Sequence, residues 1–86
     1  MLILFVSHEK IETFLFKDTL YHNITLLNPA YSQEDVIEAC KQAQIHDFIM
    51  SLPQGYQTIY DENISGGQKQ RIGLARAFLR KTPILL

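Results

Sequence analysis

The sequence predicts a small, helix-rich domain with a short strand at each end. Its 86 residues, of which 47% are hydrophobic and 20% charged, are enough for one packed domain. They are too few for an enzyme that encloses its own substrate cavity. Two stretches carry apolar side chains at helical spacing, and an apolar run stands at each end of the chain. We therefore expect several helices, with a short buried strand at each end of the chain.

The predicted strands are the apolar runs Met1–Ser7 and Ile84–Leu86, since short apolar runs are typical of buried strands. The first run is far shorter than the roughly 20 residues that a membrane-spanning helix needs. It also lacks the basic residues that precede the apolar part of a signal peptide. We expect neither a membrane span nor a leader, and a location on the cytosolic side.

Two helices are predicted in the first half of the chain. A short one lies near Asp18–Asn23, with Asp18 as its N-cap. The next begins at Ser32, because Glu34 and Asp35 in its first turn favour the positive end of the helix dipole.

One face of this second helix is predicted to be core, since Val36, Cys40 and Ala43 recur at i, i+4 and i+7. Cys40 is the one cysteine of the chain, which excludes an intrachain disulfide. We expect it to be a small buried or half-buried thiol. A further short helix is predicted over Ile45–Met50, and Pro53 prevents its continuation.

The clearest late helix is predicted over Gln68–Arg80. Its apolar side chains recur at helical spacing and are expected to face the core, whereas its basic side chains are expected away from that stripe. The apolar set is Ile72, Ala75 and Leu79, and the basic set is Lys69, Arg76 and Arg80.

Charge is strongly polarised along the chain. Residues 1–62 hold nine acids and three lysines, a net charge of −6, whereas residues 63–86 hold five basic residues and no acid. Such a distribution predicts that the last third meets an anion, either a phosphate ligand or an acidic part of its own protein.

Ser65, Gly66, Gly67 and Gln68 form the candidate functional site, because they stand at the N-terminus of the predicted basic helix. Unpaired N–H groups and the helix dipole favour a phosphate there, and glycines let it approach the backbone. The plainer alternative is an ordinary serine N-cap followed by a glycine turn.

The run Ser65-Gly66-Gly67-Gln68-Lys69-Gln70-Arg71 continues through Ile72–Leu79 to Pro83-Ile84-Leu85-Leu86. It resembles the signature motif, its helix and the approach to the Walker B strand of ATP-binding cassette (ABC) transporters. Segments 15–24 and 47–58 are similar to the flanking parts of exporter-type nucleotide-binding domains. The resemblance implies an α-rich fragment of an α/β P-loop NTPase, namely the helical subdomain with short terminal strands.

The same resemblance divides the chain into four parts. It implies a strand and degenerate Q-loop region over 1–16 and the helical subdomain over 17–63. The signature motif and its helix then follow over 64–80, and the start of the Walker B strand over 81–86. Neither His8 nor Ile11, which stand where the family has its Q-loop glutamine, matches that residue.

In that family, two nucleotide-binding domains close head to tail over two ATP molecules. The resemblance implies that Ser65, Gly66 and Gly67 contact an ATP γ-phosphate held by the second domain, with Gln68 nearby. It also implies Mg²⁺ held by other segments, and a transmembrane domain as partner on the cytoplasmic side of the membrane. Glu62 aligns with a glutamate that helps couple the two kinds of domain, although the family usually has glycine where Asp61 stands.

The chain has no Gly-x-x-x-x-Gly-Lys-Ser/Thr sequence and no Asp-Glu pair after its last strand. It is therefore not expected to hydrolyse ATP alone, and no residue is assigned a catalytic role. No histidine has a second histidine or a cysteine at i+3 or i+4, so no metal site is expected. The predicted function is part of an exporter ATPase domain. The alternative is a non-catalytic remnant or interaction module that docks on an intact ABC protein or on nucleic acid, the latter not expected.

Overall fold

The computed structural model describes residues 14–81, which form four α-helices and one 3-10 turn. These are α1 (Leu20–Thr25), α2 (Gln33–Gln42), α3 (His46–Met50), the 3-10 turn Gly55–Gln57 and α4 (Gly66–Leu79). The helix-rich prediction is confirmed for this part of the chain. Strand-like pairing within 14–81 is limited to one antiparallel bridge between Thr19 and Ile59. Both predicted terminal strands lie outside the described residues.

Helix α1 is confirmed, but its predicted N-cap is wrong. Thr19 caps the helix, because its hydroxyl oxygen accepts a hydrogen bond from the His22 N–H at 2.9 Å. The carboxylate of Asp18 instead accepts from the Thr19 N–H and lies 2.8 Å from Nδ1 of His22. This contact with His22 lowers the pKa of Asp18 below its usual value. Two neighbouring residues can each cap a helix, and only the local geometry decides between them.

Helices α2 and α3 confirm their predictions. Ser32 caps α2 through a capping box, in which the Asp35 N–H donates to the Ser32 hydroxyl and the Ser32 N–H donates to the Asp35 carboxylate. The predicted core face is buried, with Val36 and Cys40 fully enclosed and Ala43 nearly so. Helix α3 begins one residue after the predicted start.

Helix α4 confirms the predicted apolar stripe and corrects two other expectations. It begins at Gly66, so the two glycines belong to its first turn and do not precede it. Arg76 is only 1% exposed, so its predicted place away from the stripe is wrong. It stands four residues after Ile72 and therefore lies on the same face of the helix.

The core lies between α1, α2 and α4, with α3 and the 3-10 turn closing one side. Its members are aliphatic or small, apart from one tyrosine and one cysteine. They are Leu15, Leu20, Ile24, Val36, Ala39, Cys40, Ala43, Ile45, Ile49, Tyr60, Ile64, Ile72, Ala75 and Leu79.

A buried polar contact, here called the Asn23–Arg76 joint, links α1 to α4. Nε of Arg76 donates to the main-chain oxygen of Asn23 at 2.7 Å, and Nη2 donates to Oδ1 of Asn23 at 3.4 Å. The Asn23 amide also donates to the carbonyl oxygens of Phe16 and Thr19 at 3.0 and 2.8 Å. Within an apolar core, such polar groups are stable only because they are paired.

Two consecutive leucines after α1 adopt left-handed backbone angles. Leu26 and Leu27 have φ values of 56° and 65°, and the Leu27 side chain is 58% exposed. We expect Leu27→Gly to raise the free energy of unfolding by about 1 kcal/mol, because a Cβ is unfavourable at this φ. Urea denaturation of the chain measures the change. Leu27→Ala is the matched control, since it shortens the side chain but keeps the Cβ. Equal stability of the two variants would contradict the expected strain.

Burial raises the pKa of the Cys40 thiol to about 11, from 9.0. The Cys40 thiol therefore loses its proton at a lower pH in the unfolded chain than in the folded chain. Its contribution to the free energy of unfolding is complete below pH 9 and is lost as the pH rises from 9 to 11. We expect Cys40→Ala to remove about 2 kcal/mol of this alkaline loss, measured by urea denaturation across that range. Burial also raises the pKa of Tyr56, and that part of the loss persists in the variant. Identical pH profiles for the variant and the native chain would refute the assignment to Cys40.

Candidate functional site

The candidate site is the exposed N-terminal end of α4. Ser65 is the N-cap residue, and its hydroxyl oxygen accepts a hydrogen bond from the Gln68 N–H at 3.1 Å. Oε1 of Gln68 accepts in return from the Ser65 N–H at 3.0 Å. The structure thus brings Ser65, Gly66, Gly67 and Gln68 together in one helical turn, and the serine N-cap alternative is correct as a description of its local structure.

This capping box determines which backbone donors remain available at the site. The first N–H groups of an α-helix have no acceptor within the helix. The box engages those of Ser65 and Gln68, whereas the N–H groups of Gly66 and Gly67 point out of the helix end by helix geometry. The site can therefore offer two adjacent backbone donors to an outside acceptor.

The two glycines are not required by the packing of the described residues. A Cβ built on Gly66 or on Gly67 would meet no atom within 4 Å. Neither residue has a positive φ. Among the glycines of residues 14–81, Gly55 has one. Glycine in a helix costs about 0.5–1 kcal/mol relative to alanine. The glycines therefore lower helix stability and keep the surface of this turn open to close approach.

The electrostatic setting of this turn favours an anion. The first turn of α4 carries no acidic side chain, so the positive end of the helix dipole is not neutralised there. Lys69 lies at the same end, with Nζ 5.6 Å from the ring centre of Tyr60, and Arg71 is exposed nearby. Backbone donors, the helix dipole and basic side chains together suit a phosphate group.

The segment before α4 is held against α1. The Leu20 N–H donates to the Thr58 carbonyl oxygen at 2.8 Å, and the Tyr60 N–H donates to the Asp18 carbonyl oxygen at 3.0 Å. Ile64, directly before the site, is buried in the core. The chain before the site is therefore anchored as far as Ile64, the residue that precedes the exposed turn.

The two capping boxes within residues 14–81 allow a direct comparison. We expect Ser65→Ala to lower the free energy of unfolding by about 1 kcal/mol, because the Gln68 N–H loses its acceptor. Ser32→Ala is the matched control, since Ser32 forms the same box on α2, and we expect a loss of similar size. Both changes are measured by urea denaturation of the chain. A Ser65→Ala variant as stable as the native chain would show that the box contributes nothing at the site.

Comparison with known proteins places these features in a family. The model of the ABC transporter family matches residues 4–86, almost the whole chain. The chain belongs to the ABC transporter family. It is therefore related to proteins in which ATP binding is joined to transport, and the helix-rich structure of residues 14–81 is consistent with a helical part of such a protein's ATP-binding domain.

Its relatives include fused ATP-binding and permease proteins. The chain is 53% identical over 78 residues to a protein of Haemophilus influenzae named as a probable ABC transporter ATP-binding/permease protein. It is 51% identical over 78 residues to proteins of two Staphylococcus aureus strains, NCTC 8325 and COL, named for multidrug export as ATP-binding/permease proteins. Each match covers 87% of this chain and 14% of the relative. The chain thus spans about a seventh of the length of these relatives.

Two other kinds of feature are absent from residues 14–81. Within residues 14–81, no cluster of three or more histidine, cysteine or acidic side chains could hold a metal ion. No helix in that part of the chain is long and apolar enough to cross a membrane.

Sequence reasoning missed one buried contact of the site's helix, namely the Asn23–Arg76 joint. Two signals could have revealed it. Arg76 falls at i+4 from Ile72, on the apolar face of α4, and Asn23 stands beside Ile24 in a short helix that is otherwise packed on the core. A basic residue and an amide on facing apolar surfaces indicate a buried polar pair.

Proposed function

We propose that this chain is part of the ATP-binding domain of an ABC exporter and that Ser65–Gln68 is its signature segment. In this proposal, the segment contacts the γ-phosphate of an ATP molecule held by a second ATP-binding domain. The observation that carries the proposal is the open surface at Gly66 and Gly67, where a Cβ would meet nothing in the described chain. Two glycines that weaken a helix without any internal need favour an outside group that approaches the backbone closely.

The chemistry of the site fits a terminal phosphate. The N–H groups of Gly66 and Gly67 would donate to phosphate oxygens, and the Ser65 O–H would donate while its oxygen still accepts from Gln68. The positive end of α4 would stabilise negative charge on the γ-phosphate as the bond to the β-phosphate breaks. Since the site offers donors and no carboxylate, a Mg²⁺ ion would be held by residues outside it.

A second domain enters the proposal for a chemical reason. The signature turn offers few donors and stands at an exposed corner of the fold. A nucleotide held by the phosphate-binding loop of another domain would present its γ-phosphate to Ser65–Gln68 from outside.

A transmembrane domain is the second proposed partner, and it would place the chain at the cytoplasmic side of a membrane. A groove of about 440 Å³ opens between the segment before α1 and the loop before the site. Phe14, which is 65% exposed, and Glu62 are among its lining residues. This groove combines an apolar surface with charge, and the relatives are named as fused ATP-binding and permease proteins. Docking there would couple ATP binding and hydrolysis to transport.

The experiment is a chimaera in which this chain replaces the matching segment of the Haemophilus influenzae relative. We expect the purified chimaera to hydrolyse ATP with kcat within about tenfold of the parent, because the segment supplies the same contacts. Nucleotide binding to the purified protein is the control for folding. A chimaera that binds nucleotide normally but does not hydrolyse it would contradict the proposal.

A further inference from the structure

The short segment Phe16–Leu20 is bonded both to the loop before α4 and to Asn23 in α1. Its backbone pairs with Thr58 and Tyr60, in the loop that leads into the site. It also holds the side chain of Asn23, since the Phe16 N–H donates to Oδ1 at 2.9 Å and the Asn23 amide donates back to Phe16 and Thr19. The segment is thus fixed to the chain before α4 by backbone bonds and to Asn23 by side-chain bonds.

Arg76 completes the connection from the α4 side. Its guanidinium is 1% exposed and donates to both oxygens of Asn23. Asn23 itself is fully buried, and each polar atom of its side chain has a partner. Charge-assisted hydrogen bonds therefore join α1 to α4 at Asn23 and Arg76. Such bonds restrict the relative orientation of the two helices more than apolar packing does.

We propose that the Asn23–Arg76 joint positions the signature segment, and that Arg76 and Asn23 are positioning residues for the γ-phosphate contact. The inference rests on the proposed function of Ser65–Gln68. It goes further because it assigns a role in nucleotide sensing to two buried residues that touch no nucleotide.

The geometry of α4 explains how a distant residue acts on the site. Arg76 follows Gly66 by ten residues, which corresponds to about 15 Å along a helix. A helix moves as a rigid rod, so a tilt of about 5° at the joint displaces its N-terminus by about 1 Å. Displacements of this size cost about 100-fold in rate where a reacting group must be aligned. The joint fixes this tilt, because it holds α4 to the segment that also anchors the entrance to the site.

The test uses the chimaeric transporter with Arg76→Lys, which keeps the charge but loses the planar fork of the guanidinium. Arg80→Lys is the matched control, since Arg80 is exposed at the C-terminal end of the same helix, away from the site. Affinity for a non-hydrolysable ATP analogue and for ADP is measured per folded nucleotide site. We expect Arg76→Lys to weaken binding of the ATP analogue about tenfold and to leave ADP binding unchanged, because ADP has no γ-phosphate. Arg80→Lys is expected to change neither.

A second variant, Asn23→Ser, loosens the joint from the other side, since it removes Oδ1, the side-chain acceptor for Nη2 of Arg76, and the amide donors to Phe16 and Thr19. It replaces Arg76→Lys should that variant not fold, and we expect the same selective loss for the ATP analogue. A merely structural role would lower the number of folded sites and leave both affinities per site unchanged. That result would overturn the proposal.

Ser65→Ala in the same chimaera separates this inference from the proposed function. If Ser65→Ala weakens binding of the ATP analogue but the joint variants do not, the positioning role is wrong and the proposed function stands. If Ser65→Ala also leaves the affinity unchanged, the proposed function fails, and the positioning role fails with it.

Discussion

We expect Asn23→Ala to lower the free energy of unfolding of the 86-residue chain by about 3 kcal/mol. The side chain is fully buried and bonds to the backbone of Phe16 and Thr19 and to Arg76. Its removal leaves the Phe16 N–H without its acceptor, breaks the bond from Nη2 of Arg76 to Oδ1, and also opens a small cavity. Each buried polar group left unpaired costs about 1–3 kcal/mol, so the combined loss is large. Urea denaturation followed by circular dichroism measures it.

Asn63→Ala is the matched control for this prediction. Asn63 is exposed and bonds only locally, to Asp61. We expect its replacement to change the free energy of unfolding by less than about 0.5 kcal/mol. Equal effects of the two substitutions would contradict the structural role given to Asn23.

Gly67→Ala has opposite effects on stability and on activity. We expect the isolated chain to gain about 0.5 kcal/mol in free energy of unfolding, because alanine favours the helix and the new Cβ meets no atom. In the chimaeric transporter, we expect the same change to lower kcat about 100-fold, because the methyl group occupies the space that the phosphate needs. Denaturation of the chain and steady-state ATP hydrolysis by the chimaera measure the two effects.

Gln70→Ala serves as the control for both measurements, since Gln70 is exposed on α4 just after the first turn. It is expected to leave turnover unchanged. A Gly67→Ala chimaera that hydrolyses ATP at the parental rate would show that the open surface at Gly67 has no part in catalysis.

Helices were predictable from the sequence because apolar spacing and capping residues agree in this chain. Ser32 precedes an acidic first turn and the apolar stripe of α2, and the structure forms that helix as predicted. Helix α4 began earlier than predicted, because Ser65 and Gln68 form a capping box that draws both glycines into the first turn. The low helix propensity of glycine was overridden by this local pair of hydrogen bonds.

The buried arginine could not be predicted by charge alone. Charged side chains are almost never fully buried unless they are paired, and the partner of Arg76 lies 53 residues earlier in the chain. From the sequence, Arg76 is expected away from the apolar stripe, and only the packing of α1 on α4 shows the oxygens of Asn23 opposite it. Whether Gly66 and Gly67 are exposed likewise depends on which residues pack around them. Local sequence patterns do not show this.

The boundaries proposed for the parts of the chain, and the strands at its two ends, stay predictions. Met1–Ser7 and Ile84–Leu86 fall outside residues 14–81, so the structure tests neither. The helical part has a hydrophobic core of its own, whereas the α/β part implied by the resemblance to P-loop NTPases stays a prediction.

The most direct test of the central claim is photochemical cross-linking from an ATP analogue that carries its reactive group on the γ-phosphate. The chimaeric transporter is assembled with two distinguishable ATP-binding domains, of which one has a disabled phosphate-binding loop and the other a normal one. We expect the label to reach Ser65–Gln68 of the disabled domain, and peptide mapping identifies the site. Labelling confined to the domain that holds the nucleotide, with none on Ser65–Gln68 of the domain opposite, would contradict the account.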